Sequence, residues 1–278
     1  MKSFKYIFVA ILAVFISCSP DETPTIADEI DQHTLVQQIE NESHIVEMYS
    51  ATGMLQQGYN LISLRIKDKA DSHYVQNASI SWMPLMHMTA MEHSCPFSEV
   101  TKTIGKETLH HGYIVFQMAE NSSEYWTLRV DYEIDGVSYS ASDLISVPAS
   151  PKRRVVSFTG SDGENYIVAM ADPINPQVAL NAMSAVVYKK QSMMHYLPVQ
   201  GYTLKIDPRM PSMGNHGSPN NQHLVSGAAD LYHGTLSLTM TGYWKINLQL
   251  LDANAAVIKG EPVTDTNPES SIFFELEF

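Results

Sequence analysis

Residues 82–96 of this chain read WMPLMHMTAMEHSCP, and residues 210–219 read MPSMGNHGSP. Both stretches contain Met-Pro-x-Met, followed by a His two residues before a Cys or small residue and a Pro. The likeness continues downstream, where HHGYIVFQM (110–118) matches YHGTLSLTM (232–240) and YWTLRV (125–130) matches YWKINL (243–248). A pattern that recurs in this order predicts two tandem copies of one domain, with small insertions in the loops between matched segments.

The segments between these motifs have the character of short β-strands. They are rich in β-branched and aromatic residues, and clusters of Gly, Asn, Asp and Pro separate them. Asp135-Gly136 is typical of a hairpin turn. We therefore expect an all-β fold with one β-sandwich in each copy. The predicted strands are Leu61–Ile66, Tyr113–Met118, Trp126–Ile134, Ser184–Tyr188, Tyr202–Ile206, Leu236–Met240, Trp244–Leu250 and Ser271–Phe278.

The N-terminus has the pattern of a signal peptide. Lys2 and Lys5 precede an apolar run over residues 6–16 that is too short to span a bilayer. We expect a signal peptide over 1–17, a flexible acidic tether over 18–45, a first sandwich over 46–150 and a second over 151–278. The boundary between the sandwiches is placed at the proline- and arginine-containing stretch 147–154.

The sequence FISC ends the signal segment at Cys18 and resembles a bacterial lipobox. The resemblance implies that Cys18 is acylated and that the protein has a lipid anchor in the membrane. The acidic pair Asp21-Glu22 resembles the surface-export signal of Bacteroidetes lipoproteins, so we expect the outer membrane, either at its periplasmic face or at the cell surface. An ordinary secretory signal that happens to contain a cysteine is the alternative.

Charge and motif content exclude several classes of function. The chain has 30 acidic and 17 basic residues, so its surface repels phosphate backbones and no nucleic-acid partner is expected. It lacks a Gly-x-Ser-x-Gly nucleophile motif, a phosphate-binding glycine-rich loop and His-Glu-x-x-His. We therefore do not expect an enzyme.

Methionine is frequent, with 15 residues in the chain, and many lie in the repeated stretches. Thioether sulfur is a soft, neutral ligand that favours Cu(I) over harder cations, and imidazole adds affinity for copper. We therefore expect a bound copper ion. The candidate ligands are Met210, Met213, His216 and His223 in the second copy, and Met83, Met86, Met88, Met91 and His93 in the first.

The same residues also have a purely structural interpretation. The Met-Pro-x-Met segments could form an apolar plug between strands, with the histidines capping turns. Met118, Met240, Trp126 and Trp244 are expected to be core residues. Cys95 has no internal disulfide partner if Cys18 is acylated, and it is expected to be an inert thiol.

The second copy, over roughly residues 183–260, resembles the FixH/YtkA-like family of small extracytoplasmic domains. The resemblance rests on MPSMGNHGSPNN, the later His-Gly and Met-Thr-Gly-x-Trp. This copy has one residue more than the usual Met-Gly-His, and the first copy departs further. The resemblance implies an immunoglobulin-like sandwich and a role in copper handling or oxidase maturation, with a protein partner in that process.

Two functional hypotheses follow. The first is a lipid-anchored copper-binding protein outside the cytoplasmic membrane. The second is a non-catalytic structural or adhesive lipoprotein that presents sandwich loops to a protein or a glycan, for which an exposed Trp82 would be the candidate contact. Convergence of the Met and His side chains at one place would favour copper.

Overall fold

The structure, a computed structural model, describes residues 29, 30 and 32–278. In this range the regular elements are antiparallel β-strands and two single-turn 3-10 helices, Pro211–Met213 and Ala228–Asp230. The all-β fold predicted from the alternating apolar runs is confirmed.

The described part of the first half contains nine strands in two sheets. One sheet has the order β1-β2-β3-β7-β6 and the other β5-β4-β8-β9. Val46 and Leu64 of the first sheet share one buried core with Leu128 and Val130 of the second, so the sheets pack face to face. The strands are β1 (Thr34–Glu40), β2 (His44–Ser50), β3 (Gly58–Asp68), β4 (Ser79–His87), β5 (Glu92–His93), β6 (Thr101–Lys102), β7 (His110–Phe116), β8 (Tyr125–Ile134) and β9 (Val137–Ile145).

The second half contains eleven strands in one continuous sheet. They are β10 (Val155–Thr159), β11 (Asn165–Asp172), β12 (Leu180–Lys190), β13 (Tyr196–Pro198), β14 (Thr203–Met210), β15 (His216–Gly217), β16 (Gln222–Ser226), β17 (Leu231–Ser237), β18 (Tyr243–Leu251), β19 (Val257–Lys259) and β20 (Phe273–Glu277). The main path is β10-β11-β12-β17-β16-β14-β18-β19, and β13, β15 and β20 pair at its side. Val168 and Met183 near one end share a buried core with Leu248 and Phe274 near the other. The sheet therefore folds over on itself, and β16 joins its two layers.

The predicted tether over residues 18–45 is wrong in its last part. Residues 34–40 form β1, which pairs with β2 along its length, from Thr34 opposite Ser50 to Glu40 opposite Ile45. Ile39 of this strand is fully buried in the first core. Its apolar residues alternate too weakly to have indicated a strand, and pairing with the edge of the sheet supplies the stabilisation that its own pattern lacks.

The two halves share matching hydrogen bonds at positions that the sequence pattern pairs. The indole Nε1 of Trp126 donates to the carbonyl of Met118 at 3.1 Å, and Nε1 of Trp244 donates to the carbonyl of Met240 at 3.0 Å. Both indoles are fully buried, as predicted. In a second correspondence, His111 lies opposite a serine of β3 and His233 lies opposite a serine of β12.

The Met-Pro-x-Met motifs, however, are not structurally equivalent. In the two sheets Pro84 lies opposite Leu128, and Pro208 opposite Ile246. Since Leu128 and Ile246 each lie two residues after the matched Trp, Pro84 corresponds to Pro208. Met86 therefore corresponds to Met210, and the alignment of Met83 with Met210 is wrong by three residues.

The two halves contact each other through a third apolar cluster. Tyr113 and Val115 of β7 pack against Ile167 of β11 and Val186 of β12. The hydroxyls of Tyr113 and Tyr188 lie 2.8 Å apart across this contact. Two cavities lie beside this contact, and residues of both halves line them.

Candidate functional site

The β4–β5 hairpin carries four of the predicted first-half ligands on one face. Met86 lies opposite His93 in the strand pairing, and the backbone N–H of Met88 donates to the carbonyl of Met91 at 3.0 Å. Directly opposed residues lie on the same face of a sheet, and residues two apart in a strand share that face. The turn thus places three thioethers and one imidazole on one side of the hairpin.

The end of this hairpin lines a cavity of about 640 Å³ between the two halves of the protein. We call it the methionine cavity, because four methionines line it together with His93: Met88, Met91, Met118 and Met193. The first three belong to the first half and Met193 belongs to the second. A hydrogen bond of 2.9 Å from the backbone N–H of Ser94 to the carbonyl of Met193 joins the halves at this point.

His93 is held in the tautomer that suits metal binding. Its ring is 5% exposed, and its Nδ1 lies 2.8 Å from the carbonyl oxygen of Ser94. The same nitrogen also lies 3.3 Å from Nε2 of Gln117, an amide nitrogen that only donates. The shorter contact is with a carbonyl, which only accepts, so we assign the proton to Nδ1 and the lone pair to Nε2. The Trp126 ring packs perpendicular to the imidazole at a centroid distance of 5.7 Å. A backbone acceptor on the far nitrogen is the usual support of a ligating imidazole.

The lining of the methionine cavity mixes apolar and uncharged polar residues. No carboxylate is among its described lining residues, and Lys190 alone of them carries a full charge. The Lys190 ammonium donates to the sulfur of Met193 at 3.2 Å. Gln117 donates its amide N–H to the carbonyl of Ser94 at 3.2 Å, while its Oε1 is buried without a hydrogen-bond partner. An unpaired buried acceptor costs about 1–3 kcal/mol.

The remaining first-half candidates lie elsewhere. Met86 is fully buried in the first core. Met83 is half-buried on the opposite face of β4, because the buried residues of that strand alternate through Trp82, Pro84 and Met86. The structure therefore brings Met88, Met91 and His93 to the methionine cavity and excludes Met83 and Met86 from its lining.

The four second-half candidates do not line a common cavity among the described residues. Met210 is buried in the second core, whereas Met213 is 57% exposed on the 3-10 helix and His216 is exposed opposite Met210. His223 lies on β16, where its Nδ1 accepts the backbone N–H of Ile206 at 3.3 Å.

His223 instead lines a separate cavity of about 310 Å³ with Lys205 and Asp207. Desolvation, and then the charge of Lys205, lower the pKa of His223.

Sequence reasoning missed two thioethers and two polar residues of the methionine cavity. Met118 was expected to be a core residue, but it is half-buried, is not part of the first core and lines this cavity instead. Met193 lies outside the repeat, so no matched motif marked it. Gln117 and Tyr196, which lie 3.4 Å apart at Nε2 and the hydroxyl, had no signal in the sequence.

Cys95 and Trp82 are both core residues. Cys95 is fully buried and unpaired, and desolvation raises the pKa of its thiol well above the ordinary value. Trp82 is 4% exposed, and its Nε1 donates to the carbonyl of Ser98 at 2.9 Å. The expectation of an exposed Trp82, on which the adhesive hypothesis relied, is wrong.

No group of three or more His, Cys, Asp and Glu side chains in residues 29, 30 and 32–278 is arranged to hold a metal ion. Over the same range, no helix has the length and apolar character needed to cross a membrane. The predicted signal peptide and the acylation site Cys18 lie outside the described residues. In comparisons with known proteins, the chain matches no family model and has no significant match among curated sequences.

Proposed function

We propose that this chain is a non-catalytic copper-handling protein that binds Cu(I) in the methionine cavity, with Met88, Met91, Met118 and His93 as ligands. One observation carries the proposal: four thioethers and an imidazole whose Nδ1 lies against a backbone carbonyl line a single cavity that has no carboxylate among its described lining residues.

The donor set selects for a soft cation. Thioethers bind Cu(I) well and bind Mg²⁺, Ca²⁺ and Zn²⁺ poorly, because those ions prefer oxygen, nitrogen or thiolate donors. Thioethers need no deprotonation and survive in oxidising compartments, where free thiols form disulfides. A neutral imidazole adds one stronger donor. A site of this composition suits reversible transfer of copper better than permanent storage.

Met193 is left out of the ligand set because the Lys190 ammonium already engages its sulfur. The remaining four residues come from the β4–β5 hairpin and from the segment just after β7. Both segments belong to the first half, so binding does not depend on movement of one half against the other. The half-exposed Met91 gives an incoming ion or a partner protein access to the site.

The protein partner, the lipid anchor and the location are proposed from the sequence. The FixH/YtkA-like resemblance and its immunoglobulin-like sandwich support copper handling with a protein partner. A lipid on Cys18 would anchor the protein in the outer membrane, at the periplasmic face or the cell surface. Copper would then be bound outside the cytoplasmic membrane.

The test is a Cu(I) titration of the full-length chain, without oxygen, against a chromophoric Cu(I) chelator. The test variant is Met88→Leu/Met91→Leu/Met118→Leu, in which each change keeps the side-chain volume and costs less than about 1.5 kcal/mol. The matched control is Met210→Leu/Met213→Leu/His216→Ala, which alters the second-half motif. We expect the test variant to lose binding and the control to keep it. Binding that survives in the test variant, or that only the control loses, would overturn the proposal.

A further inference from the structure

A second cavity, of about 480 Å³, lies beside the contact between the two halves. It shares only Tyr196 with the methionine cavity among the described residues that line either one. We call it the tyrosine cavity, because its aromatic lining consists of Tyr59, Phe97, Tyr113, Tyr188 and Tyr196. A cavity of this size with a largely aromatic wall is typical of a small-molecule site.

The charged groups of the tyrosine cavity are of one sign. Glu99 and Asp230 line it together with the imidazole of His111, and no Lys or Arg is among its described lining residues. Burial, together with the negative charge of Asp230, raises the pKa of Tyr188 to about 12, so its phenol stays neutral. Tyr59 and Tyr113 pack at a centroid distance of 4.8 Å, and the face of an aromatic ring carries partial negative charge. Both the ionised groups and the aromatic faces therefore favour a cation.

The carboxylate of Asp230 is held in place at an energetic cost. Ala229 and Asp230 are consecutive non-glycine residues in the left-handed region, with φ of 55° and 60°. Each such residue costs roughly 1–2 kcal/mol. The amide of Gln200 donates to Oδ1 of Asp230 at 2.8 Å and fixes the side chain. Strained backbone of this kind concentrates at sites that hold ligands.

We propose that the tyrosine cavity binds a small organic cation, a quaternary ammonium or a protonated amine on a short apolar body. The tyrosine faces would hold the cationic head by cation–π attraction, with Asp230 as its counter-ion at the rim. This site does not depend on copper binding, because its residues do not include any proposed copper ligand.

The probe is choline, compared with its neutral isostere 3,3-dimethylbutan-1-ol and with methyl glucoside. Binding to the full-length chain is followed by isothermal titration and by chemical shifts of the tyrosine rings. The test variants are Asp230→Asn, which keeps the acceptor for Gln200 and tolerates positive φ, and Tyr59→Ala, which removes one aromatic face. The matched control is Asp135→Asn, an exposed aspartate in the β8–β9 turn that also has positive φ, at 50°.

We expect saturable choline binding and at least about five-fold weaker binding of the isostere, the effect of one charge at about 4 Å in a water-like medium. Asp230→Asn should weaken choline binding by a similar factor, whereas Asp135→Asn should leave it unchanged. The proposal is overturned if choline does not saturate, if the isostere binds equally well, or if methyl glucoside binds in place of choline. It is also overturned if Asp230→Asn and Asp135→Asn change the choline affinity to the same extent. Should Tyr59→Ala fail to fold, the Asp230→Asn comparison decides alone.

Discussion

Trp126→Phe and Trp244→Phe are predicted to cost similar stability but to differ in their effect on copper binding. Each indole is fully buried and donates one hydrogen bond to a methionine carbonyl. Loss of the bond leaves that carbonyl unpaired, which costs about 1–3 kcal/mol. Complete removal of a buried Trp costs about 3–5 kcal/mol and sets the upper limit. We expect about 2–3 kcal/mol for each variant.

Only Trp126 supports the proposed copper site. Its ring packs perpendicular to the His93 imidazole, and its Nε1 donates to the backbone carbonyl of Met118. Loss of a residue that orients a metal ligand typically lowers affinity by about 10- to 100-fold. Trp126→Phe should therefore weaken Cu(I) binding by about that factor, whereas Trp244→Phe should leave it unchanged.

Urea unfolding measures the stability of both variants, and chelator competition measures their copper affinity under conditions where both remain folded. Equal loss of affinity in the two variants would mean that copper binding reports only general destabilisation. Unchanged affinity in Trp126→Phe would mean that the indole does not position the ligands. Either result would refute the reasoning.

Three further predictions concern stability. Burial lowers the pKa of His110 below 6.5, so the unfolded chain binds a proton at a higher pH than the folded chain does. The contribution of His110 to stability is therefore complete above about pH 6.5 and is lost as the pH falls towards the folded-state pKa. His110→Leu should flatten this decline in urea midpoints measured from pH 7.5 to 5.5. Asn60→Ala and Asn181→Ala should each cost about 1–3 kcal/mol in urea unfolding, because each amide bonds the backbone of the residue four positions earlier; a large difference between them would argue against equivalent roles. Tyr113→Phe or Tyr188→Phe alone should destabilise by about 1 kcal/mol, while the double variant should be nearly neutral; a double-mutant cycle without coupling would contradict the observed hydroxyl pair.

The strands were predictable because their local signals agree with their tertiary contacts. The Asp135-Gly136 turn joins β8 to β9 as its sequence predicts, with Ile134 opposite Val137. The predicted strand Leu236–Met240 was less accurate, because β17 ends at Ser237. Its last residues leave the sheet so that the carbonyl of Met240 can accept the Trp244 indole, and no local pattern reports that contact.

The candidate site was only partly predictable. The β4–β5 hairpin places Met88, Met91 and His93 together because strand periodicity is local, and the sequence contains it. Met193 reaches the same cavity through the packing of one half on the other, which a repeat search cannot detect. The shared Met-Pro-x-Met motif misled the alignment, since three matching residues carry less information than the register set by the buried strands.

The most direct test of the central claim is X-ray absorption at the copper edge of the Cu(I)-loaded full-length chain. The account predicts scattering from sulfur and from one imidazole nitrogen, and loss of the sulfur signal in Met88→Leu/Met91→Leu/Met118→Leu. A spectrum with only nitrogen and oxygen scatterers, or a sulfur signal that persists in that variant, would contradict it.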